Sequence, residues 1–148
     1  MGVATFQRSA QLAWRGDVVH GSGEVGAGSG AFTVAARFPT LRGEPPGTTT
    51  PEELLAASHA VCYGIGLRSV LARHGGSAAT VRVTATITAE KGAGAVRIRG
   101  SHLTALVEGL EGVESTALAA IAEEAKRECT ISTAIGGTVE ITHEVLNA

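Results

Sequence analysis

The stretch from Thr50 to about Leu71 constrains the fold most, because it has the pattern of a long helix with a well-defined start. Thr50 can cap the free amides of the first turn, Pro51 suits the first helical position, and Glu53 completes a capping box. Apolar residues then fall on nearly all sides: Leu54, Leu55, Ala57, Val61, Ile65, Leu67 and Val70. Such a helix is buried on most sides, in a domain centre or at an interface.

The other patterns predict strands and one further helix. Alternating apolar residues predict strands over residues 81–90, 96–107 and 139–145, and shorter extended segments over 6–14 and 31–38. The inward side chains of the first segment are expected to be Phe6, Ala10, Leu12 and Trp14. A second helix is predicted from about Ser115 to Cys129, with an inward stripe of Leu118, Ala122, Ala125 and Cys129. We expect an α+β fold, a single domain over residues 1–148 in which antiparallel strands cover two helices.

The composition excludes several classes of function. Net charge is −2 with no basic cluster, and aromatic residues make up only 3% of the chain, so a nucleic-acid partner is not expected. No run of 18 apolar residues is present, so no membrane partner is expected. The N-terminal residues lack the pattern of a secretory signal, which favours a cytoplasmic location.

The chain has two cysteines, Cys62 and Cys129, and their role is the main functional question. In a reducing cytoplasm a permanent disulfide is disfavoured, so they are either two packing residues or one reversible dithiol. A reactive thiol needs a lowered pKa. Because Cys62 lies too deep in its helix to use that helix's own N-terminus, a cation from elsewhere is expected, Arg37 first and Arg15 second.

Two other patterns have simpler explanations. The glycine run from Gly21 to Gly26 matches a dinucleotide-binding motif, but strand-like sequence follows it, so hairpin turns explain it better. His59 and Cys62 share a helix face and could bind a metal with Cys129, yet the other histidines show no ligand spacing. We expect neither a metal nor a bound cofactor.

The segment Thr50-Pro51-Glu52-Glu53-Leu54-Leu55-Ala56-Ala57-Ser58-His59-Ala60-Val61-Cys62 closely resembles the first cysteine helix of the OsmC/Ohr family of thiol peroxidases. The order of elements agrees, and residues 110–113 resemble the loop before the family's second cysteine helix. Arg37-Phe38 stands where OsmC-type members carry an active-site arginine, so the chain looks like the OsmC branch. The resemblance implies an OsmC-like intertwined dimer and a role in the oxidative stress response.

Position by position, the resemblance makes Cys62 the peroxidatic cysteine and Cys129 the resolving cysteine. Arg37 is then the guanidinium that stabilises the thiolate, and Glu52 the carboxylate that holds this arginine. An external dithiol, of lipoyl type in the family, regenerates the enzyme, and apolar residues around Cys62 favour organic hydroperoxides as substrates. The chain departs from the family's common Cys-Pro at Cys129-Thr130, which removes a helix stop.

The spacing of Glu52 and Cys62 adds one inference. They are ten residues apart on one helix, which places them about 15 Å apart along its axis. If Glu52 acts on the site of Cys62, it comes from a second copy, which predicts a homodimer with composite sites. Two alternatives stay open: a redox-sensing or thiol-binding module that forms the disulfide without turnover, and a domain whose cysteines only pack.

Overall fold

The structure is a computed structural model that describes residues 2–148. The chain divides into two compact units, Met1–Pro51 and Glu52–Ala148. Each unit contains one sheet, and the helices belong to the second unit apart from the first residue of the long one. The α+β class expected from the sequence is confirmed, while the single domain over residues 1–148 stays a prediction.

The first unit is a four-stranded sheet, β1 (Ala10–Arg15), β2 (Ser22–Ala27), β3 (Thr33–Ala36) and β4 (Thr48–Thr49), in that order. The strands β1, β2 and β3 pair antiparallel, whereas β3 and β4 pair parallel. Apart from Gly21, the glycine run lies within strand β2 rather than in a turn, so the prediction that hairpin turns explain these glycines is wrong, and strand β3 follows them instead of a helix. The prediction that Phe6 and Leu12 face inward is wrong, because they are 77% and 55% exposed.

The second unit begins with the long helix α1 (Pro51–Arg73). The strands β5 (Thr80–Lys91) and β6 (Val96–Glu108) follow, and then a 3₁₀ turn (Ser115–Ala117) leads into helices α2 (Leu118–Glu128) and α3 (Thr130–Ile135). The chain ends with β7 (Glu140–Asn147), which pairs parallel to β6, while β5 and β6 pair antiparallel. The expectation of antiparallel strands is therefore wrong for this last pair. A parallel pair requires a crossover connection, and α2 and α3 provide it.

The core of the second unit lies between α1, β6 and α2. Its fully buried members include Tyr63, Leu67, Leu103 and Ala122. The predicted inward stripe of the second helix is confirmed, since its four residues are at most 3% exposed. The predicted end of that helix is wrong, because α2 stops at Glu128 and Cys129 has extended backbone angles.

Helix α1 is less buried than its sequence indicates. Its buried residues are His59, Tyr63, Leu67, Val70 and Leu71, whereas Val61 and Ile65 are 60% and 67% exposed. Among the described residues, α1 is the helix long and apolar enough to cross a membrane by length and composition. Core helices of soluble proteins have the same composition, so a single such helix is weak evidence, and the absence of a membrane partner stays a prediction.

Candidate functional site

The fold brings the two cysteines together. Cys62 lies in the middle of α1 and is half-buried, while Cys129 is buried at the junction of α2 and α3. Both are free thiols, and the side chain of Cys129 is hydrogen-bonded to the Cys62 sulfur. Residues that are 67 positions apart in the sequence (129 minus 62) therefore form one adjacent dithiol.

A break in the helix at Cys129 creates this contact. Cys129 has φ −65° and ψ 118°, and it serves as the N-cap of α3. Its sulfur accepts a hydrogen bond from the backbone N–H of Ser132 at 3.5 Å. The chain turns out of one helix and into the next without a proline at position 130, so the departure from Cys-Pro leaves the helix stop in place.

The first turn of α3 supplies the groups that act on the Cys62 thiol. Burial raises the pKa of this thiol, but hydrogen bonds outweigh it and the pKa lies below its ordinary value. The N–H groups of Ile131 and Thr130 donate to the sulfur, and so do the side chains of Cys129 and Thr130. Neutral donors therefore contribute to the lowered pKa, and the expectation of a cation beside Cys62 stays a prediction.

The two charged residues expected at the site lie elsewhere along the chain. Arg37 follows β3 in the first unit, is exposed, and donates its backbone N–H to the carbonyl of Thr49 at 2.9 Å. Arg15, the second choice, ends β1. Glu52 lies in the first turn of α1, and the helix runs unbroken from there past Cys62. Glu52 is thus separated from Cys62 along its own helix, as the spacing predicts.

The carboxylate of Glu52 has an unusual environment. Its Oε2 atom is buried, and it has no hydrogen-bond partner within residues 2–148. A buried carboxylate oxygen without a partner is costly, and native structures normally satisfy it. The hydrogen bonding of Glu52 is therefore incomplete among the described residues.

His59 lies one helical turn before Cys62 and is completely buried. Its Nδ1 atom is 2.6 Å from the hydroxyl of Ser101 on β6, and its Nε2 atom is 2.7 Å from the hydroxyl of Ser132 in α3. Burial lowers the pKa of His59, so the imidazole is neutral. With both nitrogens engaged by serines, neither points at a metal. Among the described residues no three His, Cys, Asp or Glu side chains cluster so as to hold a metal ion.

Comparison with known proteins identifies the family. The profile of the family described as OsmC-like protein matches residues 43–144. The chain belongs to the OsmC-like family. Peroxiredoxin OsmC of Escherichia coli (strain K12) is 26% identical over 141 residues, which cover 95% of this chain and 98% of that protein.

Two solved structures share the fold. The organic hydroperoxide resistance protein OsmC of Legionella pneumophila is 25% identical with a TM-score of 0.77, covering 97% of this chain and 99% of its own. An organic hydroperoxide resistance protein of Elizabethkingia anophelis is 23% identical with a TM-score of 0.79, covering 98% and 99%. At this lower identity, the Elizabethkingia structure shows only that the fold is shared. Together with the family match, these relatives place the chain in a peroxiredoxin-type family.

Within this OsmC-like chain, a second polar network approaches the dithiol. The buried Tyr63 hydroxyl lies 3.4 Å from Nδ1 of His143 on β7, whose Nε2 lies 2.7 Å from the carboxylate of Glu123 in α2. Burial, with the nearby charges of Glu123 and Cys129, raises the pKa of Tyr63 to about 12. Tyr63 is therefore a neutral hydroxyl near Cys129.

Sequence reasoning missed the residues of the α3 turn. Thr130, Ile131 and Ser132 were not recognised, because one helix was predicted to continue to Cys129. A signal was present: Thr130 and Ser132 are hydroxyl residues of the kind that favours helix starts. The contact between Tyr63 and His143 depends on how α1 packs against β7, which no sequence pattern shows.

Proposed function

We propose that this protein is a cysteine-based peroxidase that reduces organic hydroperoxides, and hydrogen peroxide more weakly, in the cytoplasm. One observation carries the proposal: the fold brings the free thiols of Cys62 and Cys129 together at the start of α3, where the donors around Cys62 lower its pKa. A thiolate is the nucleophilic form of cysteine, and an adjacent thiol can trap its oxidised product. Two packing cysteines would need neither property.

The proposed reaction has three balanced steps. The Cys62 thiolate attacks the distal oxygen of a hydroperoxide; the O–O bond breaks, Cys62 becomes a sulfenic acid, and the alkoxide leaves and takes a proton to become an alcohol. Cys129 then attacks the Cys62 sulfur, which forms a disulfide and releases water. An external dithiol, of lipoyl type as the family resemblance implies, reduces the disulfide by exchange and is itself oxidised.

The surroundings of Cys62 support an organic substrate. A groove of about 380 Å³ lies on the exposed side of α1, and its lining residues include Val61, the sequence neighbour of Cys62, with Ile65, Val81 and Val83. An alkyl chain placed there removes apolar surface from water, whereas hydrogen peroxide has none to bury. The names of the Legionella and Elizabethkingia relatives, organic hydroperoxide resistance proteins, agree with this choice.

We also propose a homodimer with composite sites. Val61 and Ile65 form an exposed apolar face on α1, which a second copy can cover across a two-fold axis, so that the groove becomes part of a composite site. Glu52 cannot reach Cys62 along its own helix, and its buried Oε2 atom lacks a hydrogen-bond partner among the described residues. In this arrangement Glu52 of one copy contributes to the site around Cys62 of the other.

Steady-state peroxide consumption with a dithiol tests the peroxidase. We expect Cys62→Ser to abolish turnover, and Cys129→Ser to consume about one equivalent of peroxide and then stop, because the sulfenic acid has no partner to condense with. Turnover by Cys62→Ser would overturn the proposal. Disulfide formation without turnover in the unmodified protein would favour the redox-sensing alternative instead.

Mixed dimers test the composite site. Cys62→Ser and Glu52→Gln are expected to be inactive separately. After joint unfolding and refolding, a heterodimer contains one complete site, made from Cys62 of one copy and Glu52 of the other. Since half of a random mixture is heterodimer with one of two sites intact, we expect about a quarter of wild-type activity. A mixture as inactive as its components would show that Glu52 does not act across the interface.

A further inference from the structure

His59 is a buried group for which the proposed reaction has no use. It lies on α1 three residues before Cys62, and its side chain is completely inaccessible to solvent. A histidine beside a reactive thiol often serves as a cation or base. Here the ring is neutral, and both of its nitrogens are bound to serine hydroxyls rather than to sulfur. His59 therefore does not act on Cys62 directly.

Its two hydrogen bonds lead to different elements. Ser101 belongs to the long strand β6, which is fixed by pairing on both sides, to β5 and to β7. Ser132 belongs to α3, which has only six residues. Isolated helices of this length are not stable in water, so α3 depends on tertiary contacts for its position. The 2.7 Å bond from the His59 ring to Ser132 is one such contact, and it joins α3 directly to α1.

The position of α3 determines what surrounds the reactive sulfur. Thr130 and Ile131, which begin α3, present their backbone N–H groups near Cys62 and help to lower its pKa. The N–H of Ser132 donates to Cys129, so the same turn also orients the second thiol. A small displacement of α3 away from α1 would move the Thr130 and Ile131 amides away from Cys62 together, because they are consecutive residues of one turn.

We propose that His59 is a positioning residue: through Ser132 it fixes the first turn of α3 against α1, so that the amides of Thr130 and Ile131 point at the Cys62 sulfur. The imidazole suits this role because one neutral ring can bond two hydroxyls on opposite sides and so connect α3 to the rigid strand β6. The inference rests on the proposed function in one respect, namely that Cys62 is the thiol that reacts.

Two matched serine variants separate positioning from general stability. Ser132→Ala removes the bond between His59 and α3, while Ser101→Ala removes the bond between the same ring and β6. Both serines are buried, and each change deletes one hydroxyl. The measurement is the rate of Cys62 alkylation by iodoacetamide as a function of pH, followed by peptide mass spectrometry so that Cys62 and Cys129 are distinguished.

We expect Ser132→Ala to raise the pKa of the Cys62 thiol by about half a unit to one unit, which lowers its thiolate fraction about three- to tenfold below that pKa. Ser101→Ala should keep alkylation within about twofold of wild type, because the bond to α3 is intact. Equal effects of the two variants, or no effect of Ser132→Ala, would overturn the proposal.

A second measurement applies even if a variant is less stable. Amide hydrogen exchange at Thr130 and Ile131 should become faster in Ser132→Ala and stay slow in Ser101→Ala, at temperatures where both are folded. Neither measurement uses peroxide. If the protein proves not to be a peroxidase, the positioning of the Cys62 thiol can still be confirmed or rejected independently.

Discussion

The two faces of helix α1 have similar composition and opposite environments. Tyr63 and Leu67 on one face are fully buried in the core, while Val61 and Ile65 on the other are more than half exposed. Cys62 lies at the boundary, half-buried. Apolar character alone therefore does not decide which face forms the core. The difference follows from which face meets β6 and α2. It leaves the Cys62 thiol at the edge of the core, close to the groove on the exposed side of α1.

The contrast between the two faces of α1 predicts its largest effect for the free energy of unfolding. Leu67→Ala should lower the free energy of unfolding by about 2 to 5 kcal/mol, since it leaves a cavity in a packed core. Ile65→Ala should have a smaller effect that depends on protein concentration, because in the proposed dimer Ile65 packs against a second copy. Urea unfolding at two protein concentrations measures both. A large, concentration-independent loss for Ile65→Ala would show that both faces serve the fold of a single chain.

A charge on the exposed face should separate the copies. Ile65→Glu is expected to weaken dimerisation at least about a hundredfold, because an unpaired carboxylate would be buried in an apolar interface. Analytical ultracentrifugation over a dilution series measures the dissociation constant. Leu146→Glu is the matched control, since Leu146 is an exposed leucine on β7, at the sheet edge. If Leu146→Glu dissociated the dimer and Ile65→Glu did not, the interface would lie elsewhere.

The start of α1 could be predicted from sequence because local chemistry determines it. Thr50, Pro51 and Glu53 act within one turn, and the helix begins at Pro51 as expected. The break before Thr130 could not be predicted in the same way, because no Gly or Pro marks it. That turn is stabilised by contacts with residues far away in the sequence. Its backbone N–H groups face Cys62, and the side chain of Ser132 is hydrogen-bonded to His59. The position of the parallel strand β7 likewise depends on pairing with β6, which no local pattern records.

Thr130 tests how much of the Cys62 environment comes from the α3 turn. Thr130→Val removes the hydroxyl donor, and Thr130→Pro removes both the hydroxyl and the N–H. We expect the Cys62 alkylation rate at neutral pH to fall by about threefold for valine and about tenfold for proline, in line with a rising thiol pKa. Thr133→Val is a control, because Thr133 is an exposed threonine of the same helix. Unchanged reactivity in Thr130→Pro would show that the turn does not stabilise the thiolate.

The smallest expected effect concerns pH and the buried face of α1. Burial holds the pKa of His59 below its ordinary value of 6.5, so the unfolded chain binds a proton that the folded chain excludes. Stability from this source is complete above pH 6.5 and declines as the pH falls from there towards the folded-state pKa.

Carboxylates with lowered pKa, such as Glu123 with an ordinary value of 4.5, add their own losses at lower pH. Between about pH 5 and 6.5, the change of stability with pH therefore reports the titration of His59. Urea unfolding across this interval should show stability falling with pH in the wild type and a flatter profile in His59→Gln. His102→Gln, a change at an exposed histidine of β6, should keep the wild-type decline because His59 is still present. A decline of equal slope in His59→Gln would mean that the buried face of α1 tolerates a charged imidazole, and the contrast between the two faces would then be one of packing alone.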